Sequence, residues 1–283
     1  MTETTLQIRL LTEVDIPAGM QLKNTAGWNQ TEADWRRLLR HDPQGCFAAL
    51  AGGRLVGTAT STAYGTDLAW IGMVIVDPEF RRQGIATKLM RTTLTHLQTQ
   101  GVRTVKLDAT PAGRQVYVDL GFADELTIER WEAVAQPQTT AHECRPLAAH
   151  DWPAVLELDR QAFGTDRARL LTALRADSVC ALVADNDGMQ GFALARHGSV
   201  KTYLGPIIAQ SPEIAARLLD GLLATLAGHT VFLDLNLAFA DGKPLLETRG
   251  FAKQRDLIRM QTGALSSVGT SAQVFAVAGL EIG

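Results

Sequence analysis

Apolar residues recur along this chain with two periods, and each change of period marks a new element. Leu6, Ile8 and Leu10 alternate with polar neighbours, which predicts a first strand. Asp15-Ile16-Pro17 has the form of a helix entry, and Gly27-Trp28-Asn29-Gln30 that of a loop. Thr31-Glu32-Ala33-Asp34 then opens a helix as a capping box, with Trp35, Leu38 and Leu39 on one face, and Pro43-Gln44-Gly45 ends it. Residues 47–51, a turn at Gly52-Gly53 and residues 55–62 predict a hairpin. A second turn, Tyr64-Gly65-Thr66-Asp67, leads into the apolar run 70–76, which Asp77-Pro78-Glu79-Phe80 stops. From Ile85 the period becomes helical through Leu89, Met90, Leu94 and Leu97. A strand over 102–109, a helix entry at Thr110-Pro111-Ala112-Gly113, a short helix over 115–120 and a strand over 126–134 follow.

The polar stretch beginning at Gln136 interrupts this pattern and is read as a linker over 136–142, between domains at 1–135 and 143–283. The second half repeats the first faintly. Asp151-Trp152-Pro153 enters a helix, and residues 179–184 and 189–196 flank the turn 185–188 as a hairpin. Residues 203–208 stand where the run 70–76 stood. Leu233-Asp234-Leu235-Asn236 matches Leu107-Asp108-Ala109-Thr110, and Gly250-Phe251 matches Gly121-Phe122. The apolar end of the chain, 274–282, predicts one more strand.

The chemistry gathers after the run 70–76. A helix starting at Gly84 directs its unpaired N–H groups back at the preceding turn. Gly84 lacks a Cβ, so a bulky anion can approach the backbone, and Arg81 and Arg82 add two cations with forked donors. Strand, turn and helix together describe a pyrophosphate site. A Rossmann dinucleotide site would need three glycines in another spacing.

Arg81-x-x-Gly84-x-Ala86 resembles the Arg/Gln-x-x-Gly-x-Gly/Ala signature of the GNAT superfamily of acyl-CoA N-acyltransferases, and Tyr117-Val118-Asp119-Leu120-Gly121-Phe122 resembles the Tyr-x-x-x-Gly-Phe that closes the family's cofactor site. The whole chain resembles a bacterial tandem-GNAT family. The resemblance implies an α+β fold of two tandem GNAT-like domains, each a mixed, mostly antiparallel sheet flanked by helices. In the second half Ala209-Gln210-Ser211-Pro212-Glu213 replaces the Arg-Gly turn, and Glu213 sets a carboxylate where a diphosphate would sit. That half is expected to keep the fold and to have lost coenzyme A.

The activity implied is acetyl transfer from acetyl-CoA to a primary amine by direct attack, without a metal. Backbone amides of Arg82, Gln83, Gly84, Ile85, Ala86 and Thr87 are expected to hold the pyrophosphate, and Val74, Ile75 and Val76 the pantetheine, with further cofactor contacts from Met73, Thr110 and Gly113. An N–H near Val74 or Ile75 would face the developing oxyanion. Tyr117 is the family's general acid toward the departing thiolate. Many relatives place a Glu where this chain has Trp70, which leaves Asp67 and Asp108 as candidate bases, beside a water chain or an amine that arrives neutral. For the acceptor, Trp28, Asn29, Asp34, Tyr64, Trp70 and Trp131 are candidates, because an aromatic wall with one carboxylate suits a small cationic amine. Tyr203, Asp234 and Asn236 are candidates from the second domain.

Composition narrows the field. With 283 residues, 46% of them hydrophobic, the chain has the size for two folded domains. A net charge of −3 argues against nucleic acid as the main partner. Cys46, Cys144 and Cys180 are far apart and odd in number, and the histidines show no metal-ligand spacing. No apolar run has membrane-spanning length, and Met1-Thr2-Glu3-Thr4 does not open a signal peptide, so a cytoplasmic protein is expected. Monomer and homodimer both remain open. The expected substrate is a small amine. A protein-lysine acetyltransferase and a non-catalytic acyl-CoA sensor are the alternatives.

Overall fold

The computed structural model describes residues 6–136, 144–186, 188–263 and 269–283. All but Gln136 of the expected 136–142 linker, and residue 187 of the 185–188 turn, lie outside them. In order, the elements are β1 (Leu6–Leu10), α1 (Ile16–Thr25), α2 (Glu32–His41), β2 (Cys46–Ala51), β3 (Arg54–Tyr64), β4 (Leu68–Val76), α3 (Ile85–Thr99), β5 (Thr104–Ala109), α4 (Arg114–Val118) and β6 (Ala123–Val134). Then come β7 (Arg145–Pro146), α5 (Trp152–Phe163), α6 (Ala168–Ala176), β8 (Ser178–Asp185), β9 (Met189–Arg196), β10 (Thr202–Ala209), α7 (Pro212–Thr225), β11 (Thr230–Asn236), α8 (Gly242–Glu247), β12 (Ala252–Gly263) and β13 (Val274–Ala276). Among the described residues no helix is long and apolar enough to cross a membrane.

The chain folds as two compact units. The first gathers the chain through Asp124, a short piece beginning at Met260, and Ile282; the second holds Glu125–Arg259, most of the remaining C-terminal stretch, and Gly283. The strand expected to end the first domain, β6, therefore counts with the second unit, where it pairs antiparallel with β11 from Ile128↔Asn236 to Val134↔Thr230. A strand's unit is chosen by the edge that hydrogen-bonds it, which sequence order does not encode.

In the first unit β1 to β4 form an antiparallel meander and β5 joins β4 in parallel. Phe47, Ala49 and Ala59 pack with Ile85 and Leu89 of α3 on one face. Strand alternation puts Thr58, Thr60 and Thr62 on the opposite face, against which α1 and α2 lie. The capping box is formed: Asp34 N donates to Thr31 Oγ1 at 3.3 Å and Thr31 N to Asp34 Oδ2 at 2.7 Å.

The second unit repeats this in atomic detail. Arg9 grips Asp15 by two hydrogen bonds of 2.7 Å, and Asp15 also accepts from Thr12 N, closing the turn into α1. Arg145 grips Asp151 at 2.7 and 2.8 Å, and Asp151 accepts from Ala148 N, closing the turn into α5. A Cβ at Gly57 would press on Ile75 O, Leu89 and Ile85; one at Gly191 would press on Ile208 O, Leu218 and Ile214. The same helix thus seats on the same strand twice. The end of the chain differs from expectation. β13 covers only Val274–Ala276, and the residues after it turn back on themselves, with Ala278 N donating to Gly283 O at 3.2 Å.

Candidate active site

The parallel ladder between β4 and β5 runs only over Leu68–Trp70 against Thr104–Lys106. Both strands continue, to Val76 and Ala109, so the facing backbone of their C-terminal halves forms a slot with no strand-to-strand rungs. On its other edge β4 bulges: the register against β3 shifts between Thr58 and Thr60. Met73, at the bulge, has φ +50, which side-chain-bearing residues rarely adopt. The buried Thr58 hydroxyl donates to Met73 O at 2.7 Å and holds the bulge in place. A bulge re-aims the backbone groups beside it, here those of Met73 and Val74.

Beyond β4, Asp77 accepts from Glu79 N and caps the turn Pro78–Phe80. The Arg81 Nε donates to Val76 O at 3.2 Å, tying the turn to the strand end. Arg82 and Gly84 both take positive φ, +62 and +74, so the chain doubles back before α3. No side chain caps α3, and a Cβ built on Gly84 would meet nothing within 4 Å. The residues Arg81–Gly84 are exposed. The first-turn amides of Ile85, Ala86 and Thr87 therefore face open space beside two guanidinium groups. These residues fit a diphosphate: directed donors, positive charge and room for the anion.

Tyr117 lies on α4, at the C-terminal end of β5. The Thr110 hydroxyl accepts from Gly113 N at 3.2 Å and shapes the connection. A Cβ on Gly113 would touch both Thr110 and the Tyr117 ring, at 3.4 and 3.5 Å. The ring stands edge-on to Phe122 with centroids 6.2 Å apart, and burial pushes the phenol up to about 12. A phenol held this way keeps its proton at neutral pH, as a general acid must.

The two candidate bases part company. Asp67 is exposed in the turn before β4 and ion-paired with Arg103. It sits at the laddered end, roughly 20 Å of strand from Met73 at 3.3 Å per residue. Asp108 is half-buried on β5, two residues past the last rung. Alternation puts it on the face shared by Lys106, Trp70 and Thr62.

Several acceptor candidates turn out to be structural. Asp34 is consumed by the Thr31 cap and by Arg37, whose Nη1 donates to it at 2.6 Å. The Tyr64 hydroxyl donates to Ile282 O at 2.6 Å, and Trp70 is buried under the helices. Trp131 lies in the core of the second unit, its indole N–H donating to Glu129 at 3.1 Å. Tyr203 donates to Val277 O. Both oxygens of Asp234 are taken by Arg130, and Asn236 uses its amide on Ser271 O and Ala238 N. Each is buried, and Asp34, Tyr64, Trp131, Tyr203, Asp234 and Asn236 hydrogen-bond within the fold, which an order of residues along a chain cannot reveal. Trp28 and Asn29 stay half-buried in the α1–α2 loop, where the buried Lys23 ammonium donates to Trp28 O at 3.1 Å. Sequence reasoning missed Thr58, Thr60 and Thr62. The hydroxyls of Thr60 and Thr62 are enclosed without a hydrogen-bond partner. Threonine at every second position of a buried strand was the available signal.

The second unit carries the same frame with other residues at the corresponding positions. Ser211 caps α7, accepting from Ile214 N at 3.4 Å, and Pro212 follows. Where Tyr117 O accepts from Phe122 N, Leu246 O accepts from Phe251 N, so a buried leucine stands in for the phenol. The β10–β11 ladder likewise stops after Thr202–Tyr203 against Val231–Phe232. There β13 fills the gap, pairing Ala276 with both Ile207 and Leu235.

The family model described as "Acetyltransferase (GNAT) family" matches residues 15–122, and that described as "Acetyltransferase (GNAT) domain" matches residues 155–276. The chain is 31% identical over 162 residues to the uncharacterized N-acetyltransferase YitH of Bacillus subtilis (strain 168), a match spanning 56% of this chain and 57% of that protein. Among solved structures it resembles a protein of Pyrococcus horikoshii assigned provisionally as an acetyltransferase, at TM-score 0.85 and 25% identity, over 98% of this chain and 96% of that one. It also resembles a tandem GNAT protein from the clavulanic acid biosynthesis pathway, at TM-score 0.67 and 14% identity, over 93% of this chain and 100% of that one; this likeness speaks to the fold. With two matched domains, and with the corresponding helix left uncapped in one and capped by Ser211 in the other, the chain belongs to the GNAT superfamily as a tandem of two GNAT domains.

Proposed function

We propose that the first unit transfers an acetyl group from acetyl-CoA to the primary amine of a small molecule by direct attack. The observation that carries this reading is the uncapped N-terminus of α3 behind Arg81 and Arg82, opening beside the unladdered ends of β4 and β5. Arg82 to Thr87 hold the diphosphate through backbone amides, and the β4 edge from Met73 to Val76 pairs with the amide-bearing arm. The bulge at Met73 supplies an N–H for the developing oxyanion. Tyr117 gives its proton to the departing thiolate sulfur as the C–S bond breaks. Asp108 takes the amine proton, directly or through water, from the face that also carries Trp70. Trp28 and Asn29 border the acceptor. A net charge of −3 offers no strong field to gather a basic protein tail, which favours a small amine.

The test is Tyr117→Phe. The kcat/KM for acetyl-CoA is expected to fall about a hundredfold, the low end for lost acid catalysis. Calorimetric affinity for CoA should stay unchanged. Turnover at the wild-type rate would remove Tyr117 from the acid role. Assays that follow free thiol across a panel of amines and lysine peptides decide the acceptor class. Silence throughout would leave a binding module.

A further inference from the structure

Within the second unit one partly enclosed arginine, Arg255, has no carboxylate partner among the described residues. Arg130 on β6 donates from Nε and Nη2 to the two oxygens of Asp234 on β11, both at 2.8 Å, and its guanidinium carbon lies 4.5 Å from the Phe232 ring centre. Those two bonds leave its Nη1 with no partner among the described residues. Arg196 donates to Gly205 O and Ala278 O, at 2.6 and 2.7 Å, so its charge meets carbonyls in those bonds. Arg255 on β12 is only partly exposed, and its Nε is enclosed without a hydrogen-bond partner. It ion-pairs with no carboxylate among the described residues. Burial and the repulsion of Arg130 hold its pKa down, against a smaller attraction from Asp234. Glu281 is a further carboxylate that acts on Arg130 and Tyr203. Arg255 and Arg130 thus stand on neighbouring strands, β12 and β6, and each keeps guanidinium donors with no partner among the described residues.

An excess cation withdrawn from water is costly unless something pairs with it. A guanidinium with free donors next to another with a free Nη1 matches a planar anion gripped from two sides. We infer that Arg255 and the Nη1 of Arg130 form a binding site for a small organic carboxylate in the second unit. Its fork geometry favours a carboxylate. The inference is independent of acetyl transfer, because none of its residues belongs to the first unit.

The experiment titrates the full chain calorimetrically with sodium succinate and, separately, with inorganic phosphate at constant ionic strength. The proteins are wild type, Arg255→Gln and Arg255→Lys. Succinate should bind saturably to wild type and about tenfold more weakly to Arg255→Gln, the loss of one charge-assisted contact. Arg255→Lys should recover part of that loss. The Arg255 side chain makes no hydrogen bond that folding needs, so Arg255→Gln should melt close to wild type. Its acetyl-CoA affinity should be unaltered, which separates this result from any failure of the transferase reading. Equal succinate affinity in wild type and Arg255→Gln, or no saturable succinate binding, overturns the site. Phosphate binding more tightly than succinate overturns the carboxylate assignment.

Discussion

At Gly84 a single missing Cβ does two jobs. It lets the backbone take φ +74, and it leaves the approach to the α3 amides clear. A branched residue there would carry left-handed strain of about 1 kcal/mol or more. It would also stand where the diphosphate approaches. Gly84→Val is therefore expected to weaken acetyl-CoA binding at least about tenfold, read by calorimetry, with only a modest drop in melting temperature. An unchanged dissociation constant would mean the anion sits elsewhere. This residue was legible because arginine, glycine and alanine at fixed spacing report a local backbone path. Met73 was named as a cofactor contact, but the bulge it forms and its partner Thr58 were not legible. They lie fifteen residues apart, and their hydrogen bond exists only once β3 and β4 have paired with a bulge.

Two elements of the fold are entered through the same device. Asp15 accepts from Arg9 and from Thr12 N, and Asp151 accepts from Arg145 and from Ala148 N. The arginine hydrogen bonds hold both carboxyls below the usual carboxylate range. A carboxylate whose folded pKa is depressed stabilises the fold above its unfolded pKa and loses that contribution as pH falls through the folded value. Asp15 is nearly buried, so Asp15→Asn is expected to cost about 2 kcal/mol at neutral pH, the scale of hydrogen bonds to a charged group. The gap between the two melting curves should narrow below about pH 4. A gap that stays constant down to pH 2 would show that the charge of Asp15 contributes nothing. The helix entries were readable from Asp and Pro at the right offset; the arginine six residues earlier belongs to a strand and becomes a partner only when the chain turns. For β13 the apolar run at 274–282 signalled burial, but three residues form strand, because the gap they enter admits only a short segment.

At the scale of the whole molecule, one frame occurs twice with different fates. The first unit leaves the slot between its diverging strands unladdered, the helix terminus uncapped and a phenol at the strand end. The second has its slot filled by β13, its helix capped by Ser211 and a leucine in place of the phenol. One CoA per chain is therefore expected by calorimetry, and Arg81→Ala combined with Arg82→Ala should remove the heat entirely. A residual second site would show that the second unit still binds the cofactor despite all three changes.

The superfamily, the doubling of the fold and the uncapped turn before α3 were set by short stretches of chain. Their physics is local: a positive φ, an uncapped helix end, an apolar run with a stop. The unit that β6 joins, the plugging of the second slot, the structural hydrogen bonds of Asp34, Trp131, Asp234 and Asn236, and the placing of Arg255 on the strand beside Arg130 were decided by tertiary structure. Each depends on which distant groups hydrogen-bond or desolvate one another, and residue order constrains that only after the strands have found their neighbours.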